Sequence, residues 1–331
     1  KNVSQTAFDS VRVKLTVIDR SNVPHVLQNF RYKPLGINDT FTVSQSFNSK
    51  QFIGLNSLLL DVNPENGQPE QYHFNNFAYR NFYVIADSLN PLMDVTFDNI
   101  HILNNDIISP KPDILIKLKD EAKWNLLNDT SLVNIRIKYP DGITRPYYFN
   151  NSDTLRFNSA QSNSDNTATI NFKPYLHQDG TYELTISGKD MSDNRVGALD
   201  YRVTFEVYNK SMISNMLNYP NPFTTSTAFV FTLTGSEVPQ EFKIQILTVT
   251  GKIVKEITKQ ELGLLKIGRN ITEYKWNGTD QFGQKLANGV YLYRVITSLN
   301  GKTLEKFNSK NENENTDKYF NKGYGKMYLM R

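Results

Sequence analysis

Val133-Asn134-Ile135-Arg136-Ile137-Lys138-Tyr139 sets an apolar side chain on every second residue and a polar one between each pair. Successive side chains of a strand point to opposite faces, so this spacing describes a strand with one buried and one solvated face. The same period recurs outward in both directions. Val11, Val13, Leu15 and Val17 alternate with Arg12, Lys14 and Thr16; Tyr201, Val203, Phe205 and Val207 with Arg202, Thr204 and Glu206; Phe242, Ile244 and Ile246 with Lys243 and Gln245. No segment carries three turns of helical periodicity, and the best competitor is the short amphipathic stretch 120–127. Turn dipeptides separate the strands: Asn66-Gly67, Asp98-Asn99, Asp141-Gly142, Asp179-Gly180, Thr250-Gly251 and Asn300-Gly301. Parallel sheets need helical crossovers, which this pattern lacks, so the chain is expected to be all-β and antiparallel.

Gly180-Thr181-Tyr182 and Gly289-Val290-Tyr291 each open an alternating run, and each glycine follows an acid or amide. In immunoglobulin-like sandwiches, a tyrosine at the start of a late strand closes a corner by bonding back to the backbone. Tyr79-Arg80-Asn81-Phe82-Tyr83-Val84 offers a third, degraded copy. Breakers at Asn90-Pro91, Ser109-Pro110-Lys111-Pro112, 209–211 and Tyr219-Pro220-Asn221-Pro222-Phe223 divide the 331 residues into three tandem immunoglobulin-like antiparallel β-sandwich domains, 1–90, 91–210 and 211–331.

Composition removes several classes of function. There is no cysteine, hence no disulfide, thiolate zinc cluster or cysteine nucleophile in this chain, and the redox compartment stays open. A formal charge of +4 is too small to imply nucleic acid, and +3 of it lies in residues 302–331. No apolar run approaches the length of a membrane helix, and the first residues lack the apolar stretch of a signal peptide. The polar stretch 308–317 reads as a loop. After it, residues 318–330 turn aromatic, either as the last strand of the third domain or as a partner-binding end.

Searches for catalytic chemistry return little. His25, His73, His101 and His177 are scattered without metal-ligand spacing, His101 reading as an outward strand residue, and no nucleophile elbow, phosphate loop, dinucleotide fingerprint or zincin motif occurs. Calcium is the one metal to weigh, with Asp94, Asp98, Asp120 and Asp190 as candidate ligands among the loop carboxylates. Otherwise no cofactor is expected. Of the two tryptophans, Trp276 alternates with Tyr274 and is assigned to the core; Tyr147-Tyr148-Phe149 is read as a buried strand in preference to a sugar platform.

Tyr219-Pro220-Asn221-Pro222-Phe223, the strand 228–233, Thr250-Gly251-Lys252-Ile253-Val254, Trp276-Asn277-Gly278-Thr279-Asp280-Gln281-Phe282-Gly283 and Leu286-Ala287-Asn288-Gly289-Val290-Tyr291-Leu292-Tyr293 occur in an order that resembles the C-terminal domains of proteins exported by the Bacteroidota type IX secretion system. Those domains are similar to the immunoglobulin-like domain of the flagellar hook-cap protein. With the terminal run 317–331, the region looks most like the end of large surface proteins of the gingipain-like cysteine peptidase family, which includes the type IX sortase. Residues 1–90, with Glu70-Gln71-Tyr72-His73-Phe74-Asn75-Asn76, resemble a bacterial cell-adhesion (CARDB-like) sandwich, and 91–210 a bacterial immunoglobulin-like repeat. The start Lys1-Asn2-Val3 resembles the interior of that first domain's opening strands, so the chain is expected to be a piece of a longer protein. The family's Cys/His pair has no counterpart here, so no catalytic residue transfers.

The resemblance implies a non-catalytic spacer and secretion or surface-docking module of a larger extracellular, peptidase-like protein, exported through the periplasm to the outer-membrane surface. Its implied partners are the type IX translocon, an outer-membrane shuttle barrel protein and the upstream domains of the same polypeptide. The partner-binding residues would be Tyr219, Pro220, Asn221, Pro222 and Phe223 at the domain entrance and Tyr324, Gly325, Lys326, Met327 and Tyr328 at the end. Ser10, Ser88 and Thr154 stand in Asp-Ser/Thr-apolar triplets that resemble the O-glycosylation site of this phylum. Two other readings are an adhesive or glycan-binding surface module and an accessory region required by an upstream cysteine peptidase domain.

Overall fold

The computed structural model describes residues 1–3, 5–68, 70, 72–150, 153–214, 216–307, 320–321 and 323–331. The expected loop 308–317 lies outside the described residues, as do Gln71 of the first-domain motif and most of 317–322. The chain is all-β and its sheets are antiparallel except for two short parallel pairings. It divides into two compact units, Lys1–Leu89 and Asn90–Arg331.

The first unit holds one four-stranded sheet. Its strands are β1 (Arg12–Ile18), β2 (Pro24–Arg31), β3 (Gly54–Val62) and β4 (Phe77–Val84), ordered β2-β1-β3-β4. Alternation sends Val13, Leu15 and Val17 inward, where Val11, Val13 and Leu35 are packed by Phe8, Tyr32, Phe41 and Val43. No second described sheet covers this one. Tyr79, the proposed third copy of the corner, lies mid-strand on β4 and is 68% exposed, so the Gly-x-Tyr resemblance does not extend there.

The second unit contains two cores in succession. Strands β5 (Leu92–Phe97), β6 (Asp106–Ile108), β7 (Ile114–Asp120), β8 (Val133–Lys138), β9 (Thr144–Tyr147), β10 (Leu155–Asn158), β11 (Asn166–Phe172), β12 (Gly180–Gly188) and β13 (Tyr201–Val207) make two sheets, β10-β11-β7-β5 and β6-β13-β12-β8-β9. Ile114, Ile116 and Leu118 from one sheet and Ile135, Ile137, Leu184 and Phe205 from the other interdigitate in a single cluster. The stretch 120–127 forms no helix, and its Trp124 is 87% exposed.

The second core lies within β14 (Met212–Ser214), β15 (Leu217–Tyr219), β16 (Ala228–Leu233), β17 (Glu241–Thr248), β18 (Ile253–Thr258), β19 (Gly268–Ile271), β20 (Gly289–Ser298), β21 (Glu305–Phe307), β22 (Phe320–Asn321) and β23 (Tyr324–Leu329). These form the sheets β15-β16-β14-β21, with β19 against β16, and β18-β17-β20-β23-β22. One helical turn, α1 (Lys259–Leu262), is started by a capping box between Thr258 and Glu261. Trp276 is fully buried among Phe223, Tyr291 and their neighbours, as its alternation with Tyr274 requires.

Both Gly-x-Tyr copies close corners. The Tyr182 hydroxyl donates to the Gln178 carbonyl at 2.8 Å, and the Tyr291 hydroxyl donates to the Ala287 carbonyl at 2.8 Å. Each bond reaches four residues back from the tyrosine, to the second residue before the start of β12 or β20, which fixes the chain as it enters the strand. Burial pushes both phenols up.

Candidate functional site

The two segments singled out at opposite ends of the third region meet. Residues 219–223 run beside the outer edge of β23 and occupy its hydrogen-bonding groups. Asn221 Nδ2 donates to the Lys326 carbonyl at 3.0 Å, and the Tyr328 amide donates to Asn221 Oδ1 at 2.9 Å. One residue pair further on, backbone takes over: the Phe223 amide donates to the Tyr328 carbonyl at 3.0 Å and the Met330 amide to the Phe223 carbonyl at 2.9 Å. A single asparagine amide thus stands in for a missing length of strand. It satisfies one donor and one acceptor that would otherwise lie open at a sheet edge.

Prolines explain why a side chain must do this. Pro220 and Pro222 carry no N–H, so neither can pair with β23 through its own nitrogen. Both of their preceding peptide bonds are cis. The Pro220 carbonyl is held instead by Thr227 Oγ1 at 2.8 Å and by Asn218 Nδ2 at 3.3 Å. Phe223 then turns into the core against Trp276, whose Nε1 donates to the Thr279 carbonyl at 2.8 Å.

The strand held this way is itself built into the sandwich. Met327 and Leu329 are fully buried. Gly325 lies flat on the Tyr293 ring, where a Cβ would come within 2.0 Å of Cζ, so only glycine fits. Tyr293 reaches past it to donate to the Met216 carbonyl at 2.8 Å, and burial pushes its phenol far up. Beyond β23, the Arg331 amide donates to Asn288 Oδ1 at 2.9 Å, and the guanidinium meets the carbonyls of Asn277 and Gly278.

Of the ten sequence-predicted docking residues, Phe223, Gly325 and Met327 are interior. Tyr219 is 75% exposed, Pro220, Pro222 and Lys326 are exposed, and Tyr328 is half-buried with the Lys326 ammonium 5.1 Å from its ring centre. Asn221 is the residue whose role was missed. Its signal was an amide between two prolines, but its partners lie more than a hundred positions away.

The calcium candidates separate into places. Asp94 on β5 pairs with His101 Nε2 at 2.7 Å, and Asp98 accepts the Asp113 amide in the turn that ends that strand. Burial raises the Asp98 carboxyl. Asp120, at the far end of β7 from Asp113, and Asp190 are both buried with carboxylate oxygens within 4.8 Å of each other. This pair could hold a cation, but Asp190 already accepts the Ser192 and Asn194 amides and Asn194 Nδ2. Of the modification candidates, Ser88 is exposed while Ser10 and Thr154 are half-buried. Tyr148 is 72% exposed between the half-buried Tyr147 and Phe149, so that stretch is buried only on alternate residues. Within the second unit a cleft of about 330 Å³ is lined by Lys111, Lys266, Arg269 and His101 together with Asp98 and Asp106.

No family model matches the chain, and no curated protein does. Among solved structures it is similar to dimeric latent PorU from Porphyromonas gingivalis, at 15% identity and a TM-score of 0.29, covering 97% of this chain and 30% of that one. It is similar to the FN1–FN3 domains of chicken CNTN1 at 7% identity and a TM-score of 0.20, covering 100% and 96%. It is also similar to the C-terminal domain of the Streptococcus agalactiae AgI/II polypeptide BspA, at 10% identity and a TM-score of 0.21, covering 66% and 98%. The chain therefore spans less than a third of the PorU chain.

Proposed function

We propose that the chain is a non-catalytic spacer joined to a secretion and surface-docking module, part of a larger extracellular, peptidase-like protein of the type IX class. In this reading the third region docks on translocon or outer-membrane shuttle components, and the earlier regions hold the upstream domains at a distance. The observation that supports it most is the coupling of the Tyr219-Pro220-Asn221-Pro222-Phe223 entrance to β23. Four cross-bonds leave Tyr219, Pro220, Pro222 and Lys326 displayed on a backbone with little freedom to move. A rigid aromatic and proline surface loses little entropy on binding. No described helix is long and apolar enough to cross a membrane.

Deleting residues 211–331 from the parent protein is expected to leave it in the periplasm, measured by protease accessibility of whole cells and by fractionation. Normal surface display of the truncated protein overturns the reading. Replacing Tyr219 and Lys326 together by serine, in a protein that keeps its melting temperature, separates loss of docking from loss of folding.

A further inference from the structure

Most edges of the described sheets are blunted; besides β4, the exception is β5, which is six residues long, without proline and in unbroken register with β7. The strands β6, β9, β10, β15, β21 and β22 are four residues or shorter, and β9 carries Pro146. The β2 and β18 pairings contain register shifts, β2 starts at Pro24, and the outer edge of β23 is filled by Asn221 and Phe223. Short strands, prolines, bulges and covered edges are how proteins prevent a sheet from recruiting a further strand.

β4 has none of these features. It is eight residues long, pairs with β3 in unbroken register from Gly54↔Val84 to Asp61↔Phe77, and contains no proline. It is the last strand on its side of the sheet, and among the described residues no backbone hydrogen bond reaches its outer edge. Phe77, Tyr79 and Tyr83 line one face of it at 41%, 68% and 69% exposure, beside Leu55 at 58% on β3. On the other face Arg80 is exposed, and no described carboxylate pairs with it.

We propose that the outer edge of β4 is a strand-addition site, taking an extended segment of another polypeptide that sets a carboxylate across from Arg80 and apolar side chains beside Tyr79 and Tyr83. The backbone edge selects the class of partner, because a row of amides and carbonyls at strand spacing is matched only by another extended backbone. Charge selects within that class. A second copy adding antiparallel about the middle of β4 would set one Arg80 directly or diagonally against another, where like charges oppose pairing. An acidic strand has the opposite balance.

The test uses the full 331-residue chain and three fluorescent nine-residue peptides of alternating threonine and valine, with a glutamate, a lysine or a proline at the centre. The glutamate peptide is expected to raise its anisotropy on titration and to slow hydrogen exchange in Phe77–Val84. The lysine peptide should bind more weakly by up to about fivefold, the upper end for an exposed ion pair, and the proline peptide should not bind. Arg80→Glu, an exposed change that should leave the melting temperature unaltered, is expected to reverse the order of the glutamate and lysine peptides. The proposal is overturned if the glutamate peptide fails to bind up to about 1 mM, a concentration that still detects an affinity of about 4 kcal/mol. It is equally overturned by protection outside β4, by an unchanged order in Arg80→Glu, or by sedimentation showing the chain pairing through β4 with its own copy.

Discussion

The sheet of residues 1–89 and the sandwich of residues 211–331 are written in the same period-two alphabet, yet they differ in how much of their surface is covered. In the later region, Phe229, Phe231, Ile244, Ile246, Trp276, Tyr293, Met327 and Leu329 meet between two sheets, each buried to 2% exposure or less. In the first unit only six apolar side chains among the described residues fall into the buried class. Leu55, Tyr79 and Tyr83 stand open on the far face of the same sheet. Alternation states which side chains share a face. It does not state whether a second layer covers that face, and burial, hence most of the stabilisation, comes from the second layer.

The largest effect separating the two regions should come from glycines. Gly325→Val puts a branched side chain where the Tyr293 ring already lies, since even a Cβ would sit 2.0 Å from it. The strand must then leave its place, and overpacking of this kind costs about 3 kcal/mol or more in a well-filled core. Urea unfolding followed by the fluorescence of the buried Trp276 reports it. Gly67→Ala in the first unit is the contrast, because a Cβ there meets nothing nearer than 3.7 Å. Its effect should stay within about 0.5 kcal/mol. Similar losses at both positions would mean that the first unit is as tightly covered as the third region.

Asn221→Ala comes next and isolates the contribution of the side-chain clamp. It removes the donor to Lys326 and the acceptor from Tyr328 while leaving both backbone bonds of Phe223 in place. Two hydrogen bonds at a half-buried edge should cost about 1 to 2 kcal/mol. Faster hydrogen exchange at Tyr328, with the β17–β20 ladder unchanged, is the local signature. Unaltered exchange at Tyr328 would mean that the strand is held by its buried Met327 and Leu329 alone.

The same contrast explains what could be read in advance. The strands were legible because period two is a local property, and the tyrosine corners were legible because each bond spans four residues. Trp276 could be assigned to the core from its neighbour Tyr274 alone. Asn221 could not, because an amide between prolines is ordinary turn chemistry until a strand about a hundred residues later is laid beside it. The thin core of the first unit was hidden for the related reason that Val13, Leu15 and Val17 look the same in sequence whether one sheet or two will cover them.

The smallest expected effect tests that thin coverage through a proton. Asp61 lies on β3 of the first unit, across from Phe77, with one carboxylate oxygen buried and, among the described residues, without a hydrogen-bond partner. Burial raises its carboxyl above the usual range, and the nearby charges of His73 and Lys14 only partly offset this. A carboxyl whose folded pKa lies above its unfolded one binds protons more readily in the folded chain. The penalty is therefore absent below the ordinary value and sets in as pH rises through it toward the raised one. The first unit should lose stability across that window, and Asp61→Asn should remove the slope by keeping the side chain uncharged. At acidic pH the variant and the original chain should unfold together; near neutrality the variant should be slightly more stable, by an amount kept small by solvent reaching a side chain that is only partly covered. Equal curves for the two at every pH would show that water reaches Asp61 as freely in the folded sheet as in the unfolded chain.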